Sequence, residues 1–389
     1  MCRYASFLLS VFAIASAAPA ATTPAPIAYV YVSTGKGVNL YDVTSTGKLT
    51  LVAGSPFPIS GSMIGSNGKY FISLGTDYIH SYLIASNGAI KQQESQINTQ
   101  LYQGGDCGTT GGAILDHTGA DVYVLLNNAF VGGSGVCTAY QSYSLGKTTG
   151  ALTFLGAATF DGRFAYQSKL PTITANNTFA YAVTAFDGYT PDTPMSGLKR
   201  ASGGALDWWT FGQTDPVPQP GWVYYPIVPV ADPSNHLAVA VYPEYEPPFG
   251  NVGATQLASY TVGTQGNLVS TNTWKNMPTP KVNVTSMNMA PSGKLLAVAS
   301  NVPSSLNETI TTGLQVFHFN GGSPITSYSA VLTKAPIDEI HWDNANHLYA
   351  LSNSTGKLYV FTVTPTSITS ATGSPYTIAG PNGLFVVPK

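Results

Sequence analysis

The sequence predicts an all-β fold, a seven-bladed β-propeller of four-stranded antiparallel blades whose ring is closed by the C-terminal strand pairing into blade one. Three observations predict it. The stretch Tyr31–Phe57 (YVSTGKGVNLYDVTSTGKLTLVAGSPF) holds three short runs of alternating, β-branched character joined by tight Gly turns, and it returns as Tyr349–Tyr376. In both copies a second tyrosine follows ten residues after the first (Tyr31 and Tyr41, Tyr349 and Tyr359), and both end in Gly-Ser-Pro-aromatic. Between them lie further copies, each announced by an Asn/Gly turn. Finally, blade one lacks an inner strand, while Pro381–Pro388 follows a complete seventh unit with nothing else to pair with. Closing the ring with it would leave no free inner edge.

The turns are Ser66–Lys69, His117–Gly119, Ala175–Asn177, Pro233–Asn235, Pro291–Lys294 and Asn344–Asn346. Asn and Gly belong there because a tight hairpin needs positive φ. Counting on from each turn gives Ile72, Tyr123, Tyr181, Val239, Ala297 and Tyr349 as counterparts of Tyr31, with spacings of 41, 51, 58, 58, 58 and 52 residues, a mean of 53. Each unit has room for one strand before the turn and three after it, the content of a propeller blade. A sandwich gives no reason for seven similar units, and solenoid units are shorter.

Taken in order, residues 1–20 read as a secretion signal: Arg3, the apolar run Phe7–Ala15, then small residues at Ala15-Ser16-Ala17 and Ala18-Pro19-Ala20. Residues 21–389 form one propeller domain, opening with an Ala/Thr/Pro tether at 21–27. Blade two spans Ser62–Ile97, with His80 read as a packed or surface histidine. Blade three spans about Gly112–Ala157 and carries a Gly-rich insertion, Phe130–Val136. Blades four, five and six carry insertions at Asp187–Gly203 (holding Lys199 and Arg200), Pro243–Gly253 and Val302–Thr312. They fall at the same place in successive blades, so they should gather as a rim on one face. Tyr189, Trp208, Trp209, Trp222 and Tyr245 are its aromatic candidates, suited to sugars or aryl compounds; packing between blades is the competing reading for Trp208 and Trp209.

Composition narrows the function. Only 9% of residues are charged, the net charge is -2, and there is no basic stripe, which argues against a nucleic-acid partner. No stretch after the leader is long enough to span a membrane, and the chain reads as a monomer. Cys107 and Cys137, left after Cys2 departs with the leader, should pair in an oxidising compartment. Asn176, Asn283, Asn307 and Asn353 open Asn-x-Ser/Thr triplets, so a secreted or cell-wall glycoprotein is expected.

No Gly-x-Ser-x-Gly elbow, His-x-x-x-His pair or calcium loop is present, and no cofactor is implied. The central channel remains as the candidate site. Counting back thirteen residues from each anchor and stepping on one places Ser60, Gly111, Lys169, Ile227, Thr285, Ile337 and Asn382 around its mouth, with Lys169 the only charged member. Asp106, Arg163, Asp338 and Glu339 lie nearby, and His341 lies further down its strand. Lys169 or Arg163 could hold a carboxylate. Glu339 or His341 could serve as a base.

The YVYVST run at 29–34, the stretch Pro291–Ala297 and the TG(K/A)LT turns at 46–50 and 149–153 resemble the lactonase-like seven-bladed propellers. That group includes 6-phosphogluconolactonases and carboxy-cis,cis-muconate cyclising enzymes, and the chain looks most like the secreted fungal proteins called 3-carboxymuconate cyclase-like. The resemblance covers all seven blades. It implies Pro-His at the start of certain inner strands, where this chain has Pro226-Ile227, Pro336-Ile337 and Pro381-Asn382. An alkyl or amide group stands where a proton-shuttling imidazole is implied. The expectation is therefore a propeller that binds a small carboxylate, lactone, aromatic or carbohydrate ligand, or a surface partner, with the family chemistry lost. The alternative is a lactonase or carboxymuconate cyclase-like enzyme acting at the channel.

Overall fold

The computed structural model describes residues 25–389 except 60, 100–108, 129–136, 162–169, 184–194, 246–251 and 304–309. Blade one joins β1 (Ala28–Thr34), β2 (Gly37–Val43) and β3 (Leu49–Leu51) to β30 (Pro381–Pro388), in the order β3-β2-β1-β30. Blade two is β4 (Ser62–Ser66), β5 (Tyr70–Leu74), β6 (Tyr78–Ile84) and β7 (Ile90–Asn98). Blade three is β8 (Thr109–Leu115), β9 (Asp121–Asn128), β10 (Cys137–Leu145) and β11 (Leu152–Asp161), somewhat longer at both ends than its sequence pattern indicated. Blade four is β12 (Thr172–Ile173), β13 (Phe179–Ala182), β14 (Ser196–Arg200) and β15 (Leu206–Trp209).

In blade five, β16 (Gln213–Thr214) adds a parallel strand outside β17 (Trp222–Ala231), β18 (His236–Tyr245), β19 (Gln256–Val262) and β20 (Leu268–Val269). That short strand reinforces the outer edge of the blade. Blade six is β21 (Ser286–Met289), β22 (Leu295–Ser300), β23 (Gly313–Asn320) and β24 (Ser323–Ser327). Blade seven is β25 (Glu339–Trp342), β26 (His347–Ser352), β27 (Lys357–Val363) and β28 (Ile368–Ser370), with β29 (Tyr376–Thr377) also pairing β27. The chain is an all-β, seven-bladed propeller.

The ring closes as the pattern required. β30 lies antiparallel to β1, with Ala28 opposite Pro388, Tyr31 opposite Phe385 and Val32 opposite Leu384. The inner hairpin turns take positive φ at Asn177 (55°), Asn235 (62°) and Asn346 (65°), and at Gly68, Gly119 and Gly293 in the other blades. Asn tolerates that conformation and Gly adopts it without steric cost.

Apolar clusters lie between blades rather than in one central core. One joins blades six and seven through Val316, Ile340, Trp342 and Leu348; another joins blades seven and one through Val30, Val32, Leu351 and Leu384. A repeated device supplements them. The Gly of the outer hairpin turn in one blade packs flat on the first aromatic of the preceding blade's second strand. A Cβ at Gly88 would lie 2.8 Å from the Tyr29 ring, at Gly150 2.7 Å from Tyr70, and at Gly266 2.7 Å from Phe179. The same turns offer carbonyls across the seam: Tyr31 donates to Gly88 O (2.8 Å), Tyr123 to Gly204 O (2.9 Å) and Tyr181 to Gly266 O (2.6 Å). This explains the recurring Gly-x-Leu/Ile at Gly47, Gly88, Gly150, Gly204 and Gly266, of which the TG(K/A)LT turns are two cases.

One expectation about the rim is corrected and one open alternative is decided. Lys199 and Arg200 belong to β14, not to an insertion; Arg200 reaches back to blade three, pairing with Asp121 and donating to Tyr123 Oη (3.1 Å). Trp208 and Trp209 are seam residues rather than rim aromatics. Trp208 donates to Thr159 O (2.8 Å) and Trp209 to Gln265 O (3.0 Å), in the blades on either side, and Lys199 Nζ lies 4.1 Å over the Trp209 ring. Among the described residues no helix is long and apolar enough to cross a membrane.

Candidate functional site

The mouth of the channel carries a pocket of about 860 Å³ on the side of blades one to three. Its walls come from the β1–β2 turn, the link into β4, the β5–β6 turn, the start of β8 and Asn382 at the start of β30. Five hydroxyls line it, from Ser33, Thr34, Ser62, Thr76 and Thr110, with the Asn382 amide and several glycine backbones. Lys36, exposed at the tip of the β1–β2 turn, is the charged side chain among the described lining residues. Thr34 and Thr110 donate to the carbonyls of Gly37 (2.9 Å) and Thr76 (3.0 Å), which stiffens the wall. The result is a neutral, hydroxyl- and amide-rich basin with one cation at its edge.

The ring of seven inferred for the mouth is partly realised. Gly111 and Asn382 line the pocket and are exposed. Thr285 is exposed on the blade-six side and spends its hydroxyl on Ala299 O (3.3 Å). Ile227 lines a different cleft, between blades five and six. Ile337 is wholly buried between blades six and seven. The physical reason is turn length. In blade six the hairpin is tied by Ala290 N to Leu295 O, whereas in blade seven Asp343 N donates to His347 O, one residue sooner. Counting back through the shorter turn slips the register by one, and in a strand that reverses the face. The true counterpart of Thr285 in blade seven is Asp338.

Asp338 is engaged in structure. Its carboxylate accepts from Asn301 Nδ2 (3.0 Å), across the blade six–seven seam, and from the Asn353 backbone N (2.7 Å). Ser60, Asp106, Arg163, Lys169, Cys107 and Asn307 lie outside the described residues, as does the side chain of Cys137.

Glu339 and His341 share one face of β25 by alternation, and both meet the same residue of the closing strand. The Leu384 N–H donates to Glu339 Oε2 at 2.6 Å, and the His341 ring lies near the Leu384 backbone, which favours its protonated form. The ring also meets Phe385 edge-on, with centroids 5.5 Å apart. β30 is the innermost strand of blade one, so the backbone groups on its channel-facing edge have no ladder partner. Glu339 satisfies the Leu384 N–H there from blade seven. Burial pushes the Glu339 carboxyl up to about 7, aided by the negative charge of Asp338 and opposed by the Leu384 N–H. Burial pushes the His341 imidazole down to about 4, opposed by the nearby Leu384 backbone. Near neutral pH the pair is thus a titrating carboxyl beside an uncharged imidazole.

A second polar cluster in blade seven is structural. Buried Asp343 accepts from the Ala345 and His347 backbone N–H groups, from His347 Nδ1 (2.7 Å) and from Tyr349 Oη (2.9 Å). Burial alone would raise its carboxyl, but the His347 and Tyr349 bonds hold it below the usual range. It fixes the shortened hairpin turn. No local pattern around the Asn344–Asn346 turn signals this network.

Of the triplet asparagines, Asn176 is exposed in the blade-four hairpin turn, its Oδ1 accepting from Thr174 Oγ1 (2.8 Å) and Thr178 N (3.0 Å). Asn283 is half-buried at the cleft between blades five and six. Asn353 turns its Oδ1 into a buried position without a hydrogen-bond partner.

This architecture recurs in solved structures. A Bacteroides fragilis protein assigned as a 6-phosphogluconolactonase superposes with a TM-score of 0.61 at 13% identity, over 92% of this chain and 98% of the other. The chain shares the seven-bladed propeller fold of that protein. A Lactobacillus plantarum protein gives 0.59 at 12% identity over 92% and 99%, and the periplasmic gluconolactonase of Pseudomonas aeruginosa gives 0.57 at 12% over 92% and 99%. At these identities the likeness is one of fold. No protein-family profile and no curated protein matches the sequence.

Proposed function

We propose that this propeller binds a small polyhydroxylated ligand, a sugar or sugar acid, in the mouth pocket, and that it does not turn lactones over. The carrying observation is the pocket's chemistry: five hydroxyls, one amide and open glycine backbone around about 860 Å³, with Lys36 placed to meet a carboxylate. The Glu339 carboxylate accepts from the Leu384 N–H, so that hydrogen bond serves ring closure. Neighbouring folds include a gluconolactonase, which makes sugar-derived ligands a natural class to test. The leader at 1–20, the exposed Asn176 triplet and the pair Cys107 and Cys137 support placing the protein in a secreted or cell-wall setting.

One observation favours a second reading. A carboxyl raised to about 7 is in the range a general base needs at neutral pH, and Glu339 Oε1 lies beside Gly383, next to Asn382 of the pocket. The test is calorimetric titration with gluconate, together with a turnover assay on glucono-1,5-lactone. Binding weakened by Lys36→Ala, without turnover, is the expected result. Lactone hydrolysis well above background that disappears in Glu339→Gln would overturn it in favour of the enzyme.

A further inference from the structure

We infer that the cleft between blades five and six is a second ligand site, built for a neutral planar aromatic molecule. It encloses about 610 Å³, and none of its described lining residues is shared with the mouth pocket. Its walls come from parts of the chain that a minimal blade does not need. The connection between the second and third strands is two residues in blade one, Gly35-Lys36, but runs from 246 to 255 in blade five and from 301 to 312 in blade six. Val252 and Gly253 reach the cleft from the first of these long connections and Ile310 from the second.

The cleft is pre-formed. Gly253 N donates to Pro243 O (2.7 Å), and Glu244 bridges Val252, which fixes the blade-five wall. Asn283 N donates to Thr311 O (2.9 Å) and Thr311 N to Lys281 O (3.2 Å), which ties Ile310 beside Val282 on the facing wall. A rigid, pre-formed cavity in this size range keeps the ordering cost of binding small.

The chemistry of the walls selects the occupant. One wall is an aromatic stack: Tyr242 lines the cleft and lies on Tyr225 with centroids 5.0 Å apart and planes 22° from parallel. A planar ring entering the cleft extends that stack, while Ile227, Val282 and Ile310 cover its other surfaces. The described lining contains no charged side chain that would pair with an ion. The Thr255 hydroxyl and Asn283 amide supply neutral polar contacts for a hydroxyl or carbonyl substituent.

The test uses 2-naphthol, uncharged at pH 7, titrated into the full-length protein and followed by its fluorescence. We expect saturable binding that Tyr242→Ala weakens by about tenfold or more, that Tyr242→Phe changes by less than about threefold, and that Lys36→Ala leaves unaltered. The naphthoate anion should bind at least about tenfold more weakly than the naphthol. If Tyr242→Ala fails to fold, Ile310→Asp replaces it and should weaken binding by a similar factor. No saturable binding, wild-type affinity in a folded Tyr242→Ala or Ile310→Asp variant, or displacement of naphthol by gluconate would each overturn the inference. Gluconate binding lost while naphthol binding persists would instead count against the mouth-pocket reading alone.

Discussion

Replacing Glu339 by Gln should make the protein more stable at alkaline pH and leave a pH signature that identifies the cause. Glutamine keeps an acceptor for the Leu384 N–H but cannot ionise. In the wild type, burial raises the Glu339 carboxyl from 4.5 to about 7. A carboxyl raised on folding contributes stability that is fully present below its unfolded value and is lost as pH rises through its folded value. The lost contribution is about 3 kcal/mol, from roughly 1.4 kcal/mol per pH unit over the span from 4.5 to about 7. His341 works in the opposite sense. Its imidazole is depressed to about 4, so its contribution is fully present above 6.5 and lost as pH falls through about 4. Between pH 4.5 and 6.5 the two slopes largely cancel in the wild type, and a change at Glu339 alone unmasks the histidine. The stability of Glu339→Gln minus that of wild type should therefore rise by about 3 kcal/mol between pH 4.5 and 7.5. For a ring of this size that is roughly a 4 °C shift in Tm. The assay is denaturant unfolding at half-unit pH steps, with Tm as a second readout. A difference that stays flat across the range, or a variant destabilised at every pH, would refute the claim that Glu339 is a buried carboxyl gripping the closing strand.

Two further outcomes are expected. Gly88→Ala should cost about 2–4 kcal/mol by chemical denaturation, because φ is 81° there and the new Cβ would lie 2.8 Å from the Tyr29 ring; a loss below about 0.5 kcal/mol would show that the seam yields easily. Removing residues 381–389 should strip the inner strand from blade one and leave β1 as an open edge, giving a protein that exposes apolar surface and aggregates, whereas a soluble variant with wild-type Tm would refute closure by β30.

Blade number, turn positions and ring closure were legible in the residues because each rests on local chemistry. Alternation marks a strand within its own few residues, positive φ calls for Asn or Gly at one position, and an unpaired terminal strand has only one open edge to join. The Gly-x-Leu/Ile turns were equally open to reading, since their spacing repeats, although their purpose appears only when the neighbouring blade is in place. The site was not legible in the same way. Turn length in blade seven, one residue shorter than in blade six, decides whether Ile337 or Asp338 meets the channel, and that single step turns a side chain from core to mouth. Glu339 and Leu384 stand 45 residues apart, and nothing within either segment specifies that they meet. The seven blades and the strand that closes them follow from the residues alone, because local period and turn chemistry suffice for that. That Glu339 grips that strand, that Trp208 and Trp209 fill seams, and that two long connections build a cleft depends on how each twisted blade packs against the next.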